Sequence, residues 1–250
     1  MLEVKQLSAG YPGNSVLKNI SLAFTKGTVT VVAGPNGCGK STLLKAVAGI
    51  LPADGEVFLE GKPISGLPSR LRAQKISFLP QSRRVPEITV KRLVLHGRFP
   101  YLHYPRQYSR TDYAAAERAM EAMKITDLAN RPLASLSGGQ RQKAYIAMAL
   151  AQDTEAVLLD EPTTFLDIAH QMQMMHLAKE LAAAGKTVVL VLHDLTLALE
   201  HADALVIMDK GNVISTGTPE AVFQSGCLKP VFSVDLDRTR VNGSWKYFYL

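Results

Sequence analysis

The segment GPNGCGKST, Gly34–Thr42, constrains the fold of this chain more than any other stretch. It fits the pattern G-x-x-x-x-G-K-[ST] and stands between an apolar, β-branched run, TVTVVAG, and a helical pattern over Ser41–Gly49. Glycines in such a turn let the backbone wrap closely around an anion, so that N–H groups and the helix N-terminus point at phosphates. Lys40 then supplies a charge for the β- and γ-phosphates, and Ser41 offers a hydroxyl to Mg²⁺.

Short apolar runs alternate with helical patterns along the chain. The predicted strands are TVTVVAG, GEVFLEG, KISFLPQ, EAVLLDEP, KTVVLVLHD and DALVIMDKG. Three of them are almost continuously apolar, as are strands buried on both faces of a parallel sheet. Helical patterns cover Ser41–Gly49, Gly138–Ala151, Ile168–Ala183 and Leu195–Ala202. The alternation predicts an α/β domain with its chemical groups at the carboxyl ends of the strands.

The stretch 87–152 differs because it has no convincing strand pattern. TDYAAAERAMEAM predicts a helix with Thr111 as N-cap. We therefore expect one domain over 1–250, with a core of 1–86 and 153–250 and a helical subdomain of 87–152. SGLPSR and SRRVPE are predicted loops, and the tail RTRVNGSWKYFYL alternates as a final strand or hairpin does.

The net charge and the cysteines give only weak information about the partners and the cellular compartment of this chain. The net charge of +6 suits phosphate-bearing partners or an anionic membrane surface without selecting either. Cys38 lies inside the glycine loop and no CxxC pair occurs with Cys227, which favours a reducing compartment. We find no signal-peptide pattern and no apolar run of the ~18 residues that a membrane span needs. A membrane association would therefore be expected through a partner.

Two adjacent carboxylates end the strand pattern EAVLLDEP. On a strand their side chains would point opposite ways and serve different purposes. Asp160 would hold Mg²⁺, and Glu161 would orient the attacking water or accept its proton.

Three further residues are candidate members of the site, although each could instead have a purely structural role. His193 ends the strand VVLVLHD, whose expected neighbours in the sheet carry the glycine loop and Asp160; a histidine there is otherwise structural. Gln81 in FLPQ stands at the entrance to the helical stretch and suits either contact with Mg²⁺ and water or an exposed loop. Tyr11 in SAGYPG can stack on an adenine or cover the ends of the N-terminal strands. The remaining histidines lack ligand spacing, so no structural metal site is expected: His96, His103, His170, His176 and His201.

A second candidate anion site lies in LASLSGGQRQ, where a serine and two glycines precede a helix and leave backbone N–H groups for an anion. Together with GPNGCGKST, FLPQ, VLLDEPTTFLD and VLHD, in this order, the chain resembles the ATP-binding cassette ATPases over essentially its whole length. The resemblance implies a P-loop (RecA-like) α/β core with an N-terminal antiparallel β region and an inserted helical subdomain. It also implies ATP and Mg²⁺ as cofactors.

The resemblance assigns a role to each matching position. It implies that Tyr11 stacks on adenine, that Gln81 links the helical subdomain to the site, and that Asp160 holds magnesium. Glu161 becomes the catalytic base and His193 the switch histidine. The phosphate-binding set it implies is Gly34, Pro35, Asn36, Gly37, Cys38, Gly39, Lys40, Ser41 and Thr42, with Ser137, Gly138, Gly139, Gln140 and Asp167 acting across a dimer. The family more often has Ser-Ala where this chain has Thr164-Phe165, which puts in question the contact of Phe165 but not the role of Asp167.

The sequence around SGGQRQKAYIAMALAQ, with HGRFPYL and GTPEAVF, resembles ATPase subunits of importers for iron–siderophores, haem and vitamin B12. That resemblance implies two ATPase copies on the cytoplasmic face of the membrane, beneath permease subunits fed by a substrate-binding protein. The groove beside Val85–His96 is the expected docking surface. Two alternatives remain: a soluble ATPase acting on nucleic acid, which would need long heptad-bearing arms that the sequence lacks, and an exporter subunit. We expect no nucleic acid partner.

Overall fold

A computed structural model describes residues 1–81, 85–164 and 166–250. The strands are β1 Leu2–Tyr11, β2 Asn14–Phe24, β3 Val29–Ala33, β4 Ala53–Leu59, β5 Lys62–Pro63, β6 Ile76–Leu79, β7 Ala156–Asp160, β8 Thr187–Val191, β9 Ala204–Asp209, β10 Asn212–Gly217, β11 Leu236–Val241 and β12 Ser244–Tyr249. The helices are α1 Lys40–Val47, α2 Ser69–Ala73, α3 Val90–His96, α4 Arg110–Ala122, α5 Gly138–Ala151, α6 Ile168–Ala183, α7 Leu195–His201, α8 Pro219–Gln224 and α9 Leu228–Phe232. Single 3₁₀ turns cover Phe99–Tyr101, Thr126–Leu128 and Leu133–Ser135.

A six-stranded sheet in the order β10-β9-β3-β8-β7-β6 forms the centre of the fold. The pairings from β9 through β6 are parallel, and β10 is antiparallel at one edge. Every residue of β3, β7 and β8 is buried, because helices and a second sheet cover the two faces. The prediction of a parallel sheet from the three continuous apolar runs is therefore confirmed.

The strand order brings three predicted site segments to one edge of this sheet. Strand β8 lies between β3, which leads into the glycine loop, and β7, which ends at Asp160. Val191, the last residue of β8, pairs with Val32 on one side and Asp160 on the other. His193 follows two residues later, so the expected neighbourhood of its strand is confirmed.

The N-terminal strands form a separate antiparallel sheet in the order β2-β1-β4-β5. Leucines of β1 and β2 and the side chain of Phe24 share one hydrophobic cluster with Leu43 and Leu44 of α1 and with one face of the central sheet. Helix α1 therefore packs between the two sheets, and the expected N-terminal antiparallel region is present.

Helices α3, α4 and α5 pack together and share a hydrophobic cluster with the other face of the central sheet. The described residues between 85 and 152 contain no strand and only an isolated bridge between Thr89 and Pro132. The prediction of Thr111 as the N-cap of α4 is wrong. Ser109 caps this helix, because a reciprocal pair of hydrogen bonds with Asp112, three residues on, satisfies two orphan donors.

Two smaller expectations have different outcomes. SGLPSR is only partly a loop, since α2 begins at Ser69, whereas residues 82–84 of SRRVPE lie outside the described residues. The C-terminal tail forms the predicted hairpin, β11 with β12. Among the helices that the structure describes, none has the length and apolarity to cross a membrane.

Candidate active site

The glycine loop has the backbone shape that a phosphate cradle needs. Gly37 and Gly39 have φ angles of 78° and 109°, which side-chain-bearing residues rarely adopt. At Gly34 a Cβ atom would lie 2.2 Å from the carbonyl oxygen of Met208, so only glycine permits this close approach to β9. The Lys40 ammonium is buried under the loop and donates hydrogen bonds to the carbonyls of Gly34 (2.7 Å) and Pro35 (2.9 Å).

Asp160 is buried at the end of β7 beside the start of α1. The Ser41 hydroxyl donates to its Oδ1 atom at 3.0 Å, and its Oδ2 atom has no hydrogen-bond partner among the described atoms. Burial raises the pKa of Asp160, and the neighbouring Glu161 carboxylate raises it further; the Ser41 hydrogen bond and the charges of Lys45 and Lys40 act in the opposite direction.

An unpaired, buried carboxylate oxygen next to a hydroxyl fits a hard divalent cation, which takes oxygen ligands. The structure thus brings together two of the three predicted magnesium ligands, Ser41 and Asp160. The third, Gln81, contacts Glu161 instead.

Glu161 is the meeting point of three side chains. Its Oε2 atom accepts hydrogen bonds from Gln81 Nε2 at 2.5 Å and from Thr164 Oγ1 at 3.3 Å, and its Oε1 atom lies 2.5 Å from His193 Nε2. The carboxylate is buried, whereas the imidazole is half exposed. Predicted catalytic residues from three segments of the chain therefore converge here, and Thr164 is an addition that the sequence did not suggest.

The two carboxylates differ in their partners, as expected, but not for the expected reason. The strand ends at Asp160, and Glu161 has a φ of 52°, in the left-handed region that non-glycine residues seldom occupy. A backbone turn, rather than strand alternation, therefore directs Glu161 toward Gln81 and His193. Such local strain is typical of functional positions.

Tyr11 ends β1 on the surface, with 44% of its area exposed. Lys45 of α1 donates a hydrogen bond to its hydroxyl at 3.3 Å, and the ammonium lies 5.9 Å from the ring centroid. The aromatic side chain is thereby linked to the helix that follows the glycine loop. Its role in adenine stacking stays a prediction.

The LSGGQ segment leads into α5 and lines a cavity. Ser137 is the N-cap: its Oγ atom accepts from the Gln140 N–H at 3.2 Å, and its own N–H donates to Gln140 Oε1 at 3.2 Å. The adjoining cavity, about 460 Å³, has no residue of the glycine loop among its described lining. Its lining includes Ser137, Gly139, Gln140, Asp167, His170 and Lys143.

Two contacts, one at this cavity and one further along α5, were not suggested by the sequence. Asp167 caps α6 through the His170 N–H at 2.8 Å and also lies 2.7 Å from His170 Nδ1, and these contacts hold its pKa below the usual range. Gln142 of α5 donates from its buried amide to the Pro162 carbonyl at 2.7 Å, directly after Glu161. The aspartate directly before the predicted helix was a readable capping signal. Phe165 lies outside the described residues.

Comparisons with known proteins agree with the family resemblance seen in the sequence. The family model described as ABC transporter matches residues 17–164. The chain is 43% identical to the probable siderophore transport system ATP-binding protein YusV of Bacillus subtilis, over 96% of this chain and 88% of that protein. An ABC transporter described as of metal-chelate type, solved in an inward-facing conformation, superposes with a TM-score of 0.84 at 30% identity, covering 100% of this chain and 97% of the other.

A dimeric bacterial ABC transporter cassette, MJ0796, superposes with a TM-score of 0.77 at 28% identity, over 88% of this chain and 99% of that one. The α/β P-loop fold expected from the sequence is thus confirmed by its structural neighbours. The family model covers more than half of the chain, and the bacterial relative exceeds 30% identity over nearly all of it. The chain therefore belongs to the ABC transporter family and is one of its ATPases.

Proposed function

We propose that this chain is the ATP-hydrolysing subunit of an importer for iron–siderophore chelates or chemically similar cargo such as haem or cobalamin. The supporting observation is the shared sheet edge, where the glycine loop, the Ser41–Asp160 pair and the Gln81–Glu161–His193 cluster lie on neighbouring strands. The relative YusV, whose name specifies siderophore transport, supports the cargo class.

The phosphates would be held by the backbone of Gly34–Thr42. The N–H groups of the left-handed glycines and the N-terminus of α1 supply donors for anionic oxygens. Lys40 would exchange its carbonyl contacts with Gly34 and Pro35 for the β- and γ-phosphates. Tyr11 would cover the adenine.

Mg²⁺ would be held by Ser41, Asp160 and, after leaving Glu161, Gln81. When bound, the ion neutralises charge on the phosphate oxygens and fixes their orientation. The orphan Oδ2 atom of Asp160 supports this assignment.

Glu161 would orient the attacking water and accept its proton. Both of its oxygens already receive contacts from Gln81, Thr164 and His193, so the carboxylate is held in place before any water arrives. His193, half exposed at the end of its strand, would donate a hydrogen bond to the γ-phosphate.

The working unit we propose is a dimer in which each LSGGQ segment closes on the other copy's nucleotide. Within one chain, Ser137 and Asp167 share a cavity whose described lining excludes the glycine loop. A two-fold arrangement gives every phosphate-binding helix end a ligand. The dimeric cassette among the structural neighbours supports the same assembly.

The dimer would sit on the cytoplasmic face of the inner membrane, attached to permease subunits that receive cargo from a substrate-binding protein. The surface beside Val85–His96 is the proposed docking site, and the link from Gln142 to Pro162 offers a route from the helical subdomain to the catalytic loop. Co-purification of the chain with a multi-span permease tests this attachment. Stimulation of its ATPase by DNA instead would favour the nucleic-acid alternative.

Mixing two inactive variants tests the composite site. Ser137→Arg and Lys40→Ala homodimers each lack an intact site, whereas their heterodimer retains one of two. With random pairing and independent sites, about a quarter of wild-type ATPase should return. A mixture of wild type with Lys40→Ala is the matched control, because it also contains one-site heterodimers. If the control keeps about half of wild-type activity, more than the roughly one quarter that its wild-type homodimers supply alone, and the variant mixture recovers none, the proposed exchange of LSGGQ segments is wrong.

A further inference from the structure

Glu161 adopts a backbone conformation that is unfavourable for a residue with a side chain. Its φ of 52° lies in the left-handed region, and such strain persists where the surrounding structure holds it. Within the turn itself, the Thr164 backbone N–H donates to the Glu161 carbonyl at 3.3 Å. The next residue, Pro162, has no backbone N–H to contribute. Contacts from outside the turn are therefore of interest.

Gln142 supplies such a contact from the helical subdomain. Its side chain lies on α5, is buried, and donates from Nε2 to the Pro162 carbonyl oxygen at 2.7 Å. The two residues are 20 positions apart in sequence. Because a buried carbonyl that loses its donor costs free energy, this contact opposes any movement of the carbonyl. The Gln142 amide therefore ties the peptide group that follows Pro162 to a helix outside the turn.

Helix α5 is a firm support for this hydrogen bond. Its first turn is fixed by the two hydrogen bonds between Ser137 and Gln140. Further along, buried residues of α5 and of β7 belong to the same hydrophobic cluster. Gln142 thus holds the Pro162 carbonyl relative to the core that also carries β7.

The position of the Pro162 carbonyl affects where the Glu161 carboxylate points. The pyrrolidine ring fixes φ of Pro162, so few bonds can rotate between the held carbonyl and the Glu161 side chain. In the observed arrangement that side chain accepts from Gln81 and Thr164 and lies against His193. A turn released from α5 could relax the left-handed φ and move the carboxylate away from these partners.

We propose that Gln142 is a positioning residue for Glu161, acting through the Pro162 carbonyl that its amide holds. This inference rests on the proposed role of Glu161 as the catalytic base. Gln142 touches no reacting atom in this account. It keeps the Glu161 carboxylate in place, and a small displacement of a catalytic group is enough to slow a reaction.

Gln142→Met tests the proposal because it removes the amide donor and keeps the length of the side chain. We expect kcat for ATP hydrolysis to fall by about three- to tenfold, the worth of one net hydrogen bond, with Kd for ATP within about twofold of wild type. Gln152→Met is the matched control. Gln152 directly follows α5, is half-buried, and donates from Nε2 to the Ile76 carbonyl at 3.2 Å, at the opposite end of β6 from Gln81. Its kcat should stay close to the wild-type value.

A second variant and a structural readout accompany the kinetics. The Gln142→Asn amide is one methylene too short to reach the carbonyl, so kcat should fall here as well, including where the methionine variant does not fold. In a crystal structure of the variant chain, φ of Glu161 should leave the left-handed region or its carboxylate should leave Gln81.

Heterodimers separate this role from a distortion of the LSGGQ segment. A heterodimer of wild type and Lys40→Ala, isolated through two different affinity tags, has one proposed hydrolysing site. Gln142→Met in the chain with the intact Lys40 should lower kcat by the same three- to tenfold. In the Lys40→Ala chain it should leave kcat unchanged, because that chain contributes its LSGGQ segment and not its Glu161 carboxylate.

A wild-type kcat in the Gln142 variants, or an equal loss with the substitution in either chain of the heterodimer, would overturn the proposal. If Glu161→Gln retains near-normal turnover, the assigned role of Glu161 fails instead. The conformation of Glu161 in the variant crystal structure still reports whether Gln142 holds the turn, so the two failures are distinguishable.

Discussion

Replacing Gly34 by alanine tests whether close backbone approach, rather than backbone conformation, makes the first glycine of the loop necessary. A Cβ atom there would lie 2.2 Å from the Met208 carbonyl oxygen and 2.6 Å from Cys38 Sγ. Met208 lies inside β9, which is paired with β3 on one side and β10 on the other. Its carbonyl therefore has little freedom to move. Gly37 is the matched control: its φ is 78°, and a Cβ atom would meet nothing within 4 Å.

The two substitutions should differ in cost. Overpacking against a fixed backbone costs about 1–3 kcal/mol, and two contacts this short place Gly34→Ala at the upper end, about 2–3 kcal/mol. Gly37→Ala pays roughly 1–2 kcal/mol for the left-handed conformation and regains roughly 0.4–1 kcal/mol from the stiffer unfolded chain, a net cost of about 1 kcal/mol. A Cys38→Ala background relieves only the sulfur contact, so Gly34→Ala should still cost more than Gly37→Ala there.

Urea unfolding followed by the fluorescence of Trp245, the single tryptophan, and by circular dichroism measures these differences. ATP binding provides a second readout. The Gly34 carbonyl accepts from Lys40 Nζ at 2.7 Å, so displacing the loop should misplace the lysine and weaken ATP binding on the order of tenfold. If Gly34→Ala destabilises the protein no more than Gly37→Ala does, the close-approach argument is refuted.

Three other substitutions probe the site and the helical subdomain. Glu161→Gln should retain ATP binding and slow phosphate release by about 10²–10⁴-fold, because an amide cannot accept the proton of water; near-normal turnover would exclude Glu161 as the base. Asp160→Asn should abolish Mg²⁺-dependent hydrolysis. Burial raises the pKa of Asp160, so its charged form destabilises the folded state, and Asp160→Asn should also raise the urea midpoint at neutral pH. This gain in midpoint should shrink as acidification protonates the wild-type carboxyl; a gain independent of pH would contradict the argument. Ser109→Ala should cost about 1 kcal/mol in thermal unfolding and Thr111→Ala less than half of that, and the reverse order would contradict the observed cap.

Strand positions followed from composition because burial on both faces leaves a strong pattern. β3, β7 and β8 consist mainly of valine, leucine and alanine, and each predicted run contains the observed strand. The apolar pattern predicted the helix Ile168–Ala183 at its observed ends, and Asp167, its cap, directly precedes that pattern. Such signals are local and need no knowledge of tertiary contacts.

Local signals failed where two residues competed for one role. Ser109 and Thr111 both suit an N-cap, and the choice depends on which one has an acidic partner three residues later. Asp112 stands at that distance from Ser109, so the capping box selects the earlier residue. The helix also gains from Arg98, which reaches the same Asp112 carboxylate at 2.9 Å across 14 residues of sequence. No periodicity reveals that contact.

Some features of the site were likewise predictable from the sequence, and others were not. The strands that end near His193 and Asp160 were predicted to be neighbours, and parallel strands align their carboxyl ends. In the observed register Asp160 pairs with Val191, and His193 follows Val191 by two residues. The contact between Gln81 and Glu161 depends on a loop and on a positive φ at Glu161, which sequence patterns do not encode. The motifs therefore predicted which residues belong to the site, whereas the contacts between those residues became known only from the structure.

The N-cap of α5 determines which backbone N–H groups of the LSGGQ segment are available to a nucleotide. An uncapped helix start would present all of its first N–H groups to an anion, as the sequence suggested. Here the Gln140 N–H is already bonded to Ser137 Oγ, which leaves the N–H groups of Gly138 and Gly139 without an intrahelical acceptor. The capping box fixes the serine and leaves two glycine N–H groups whose residues carry no side chain. In the proposed dimer, a γ-phosphate of the other copy would bond to these N–H groups while both hydrogen bonds between Ser137 and Gln140 remain in place, so the site would need no rearrangement of this helix start.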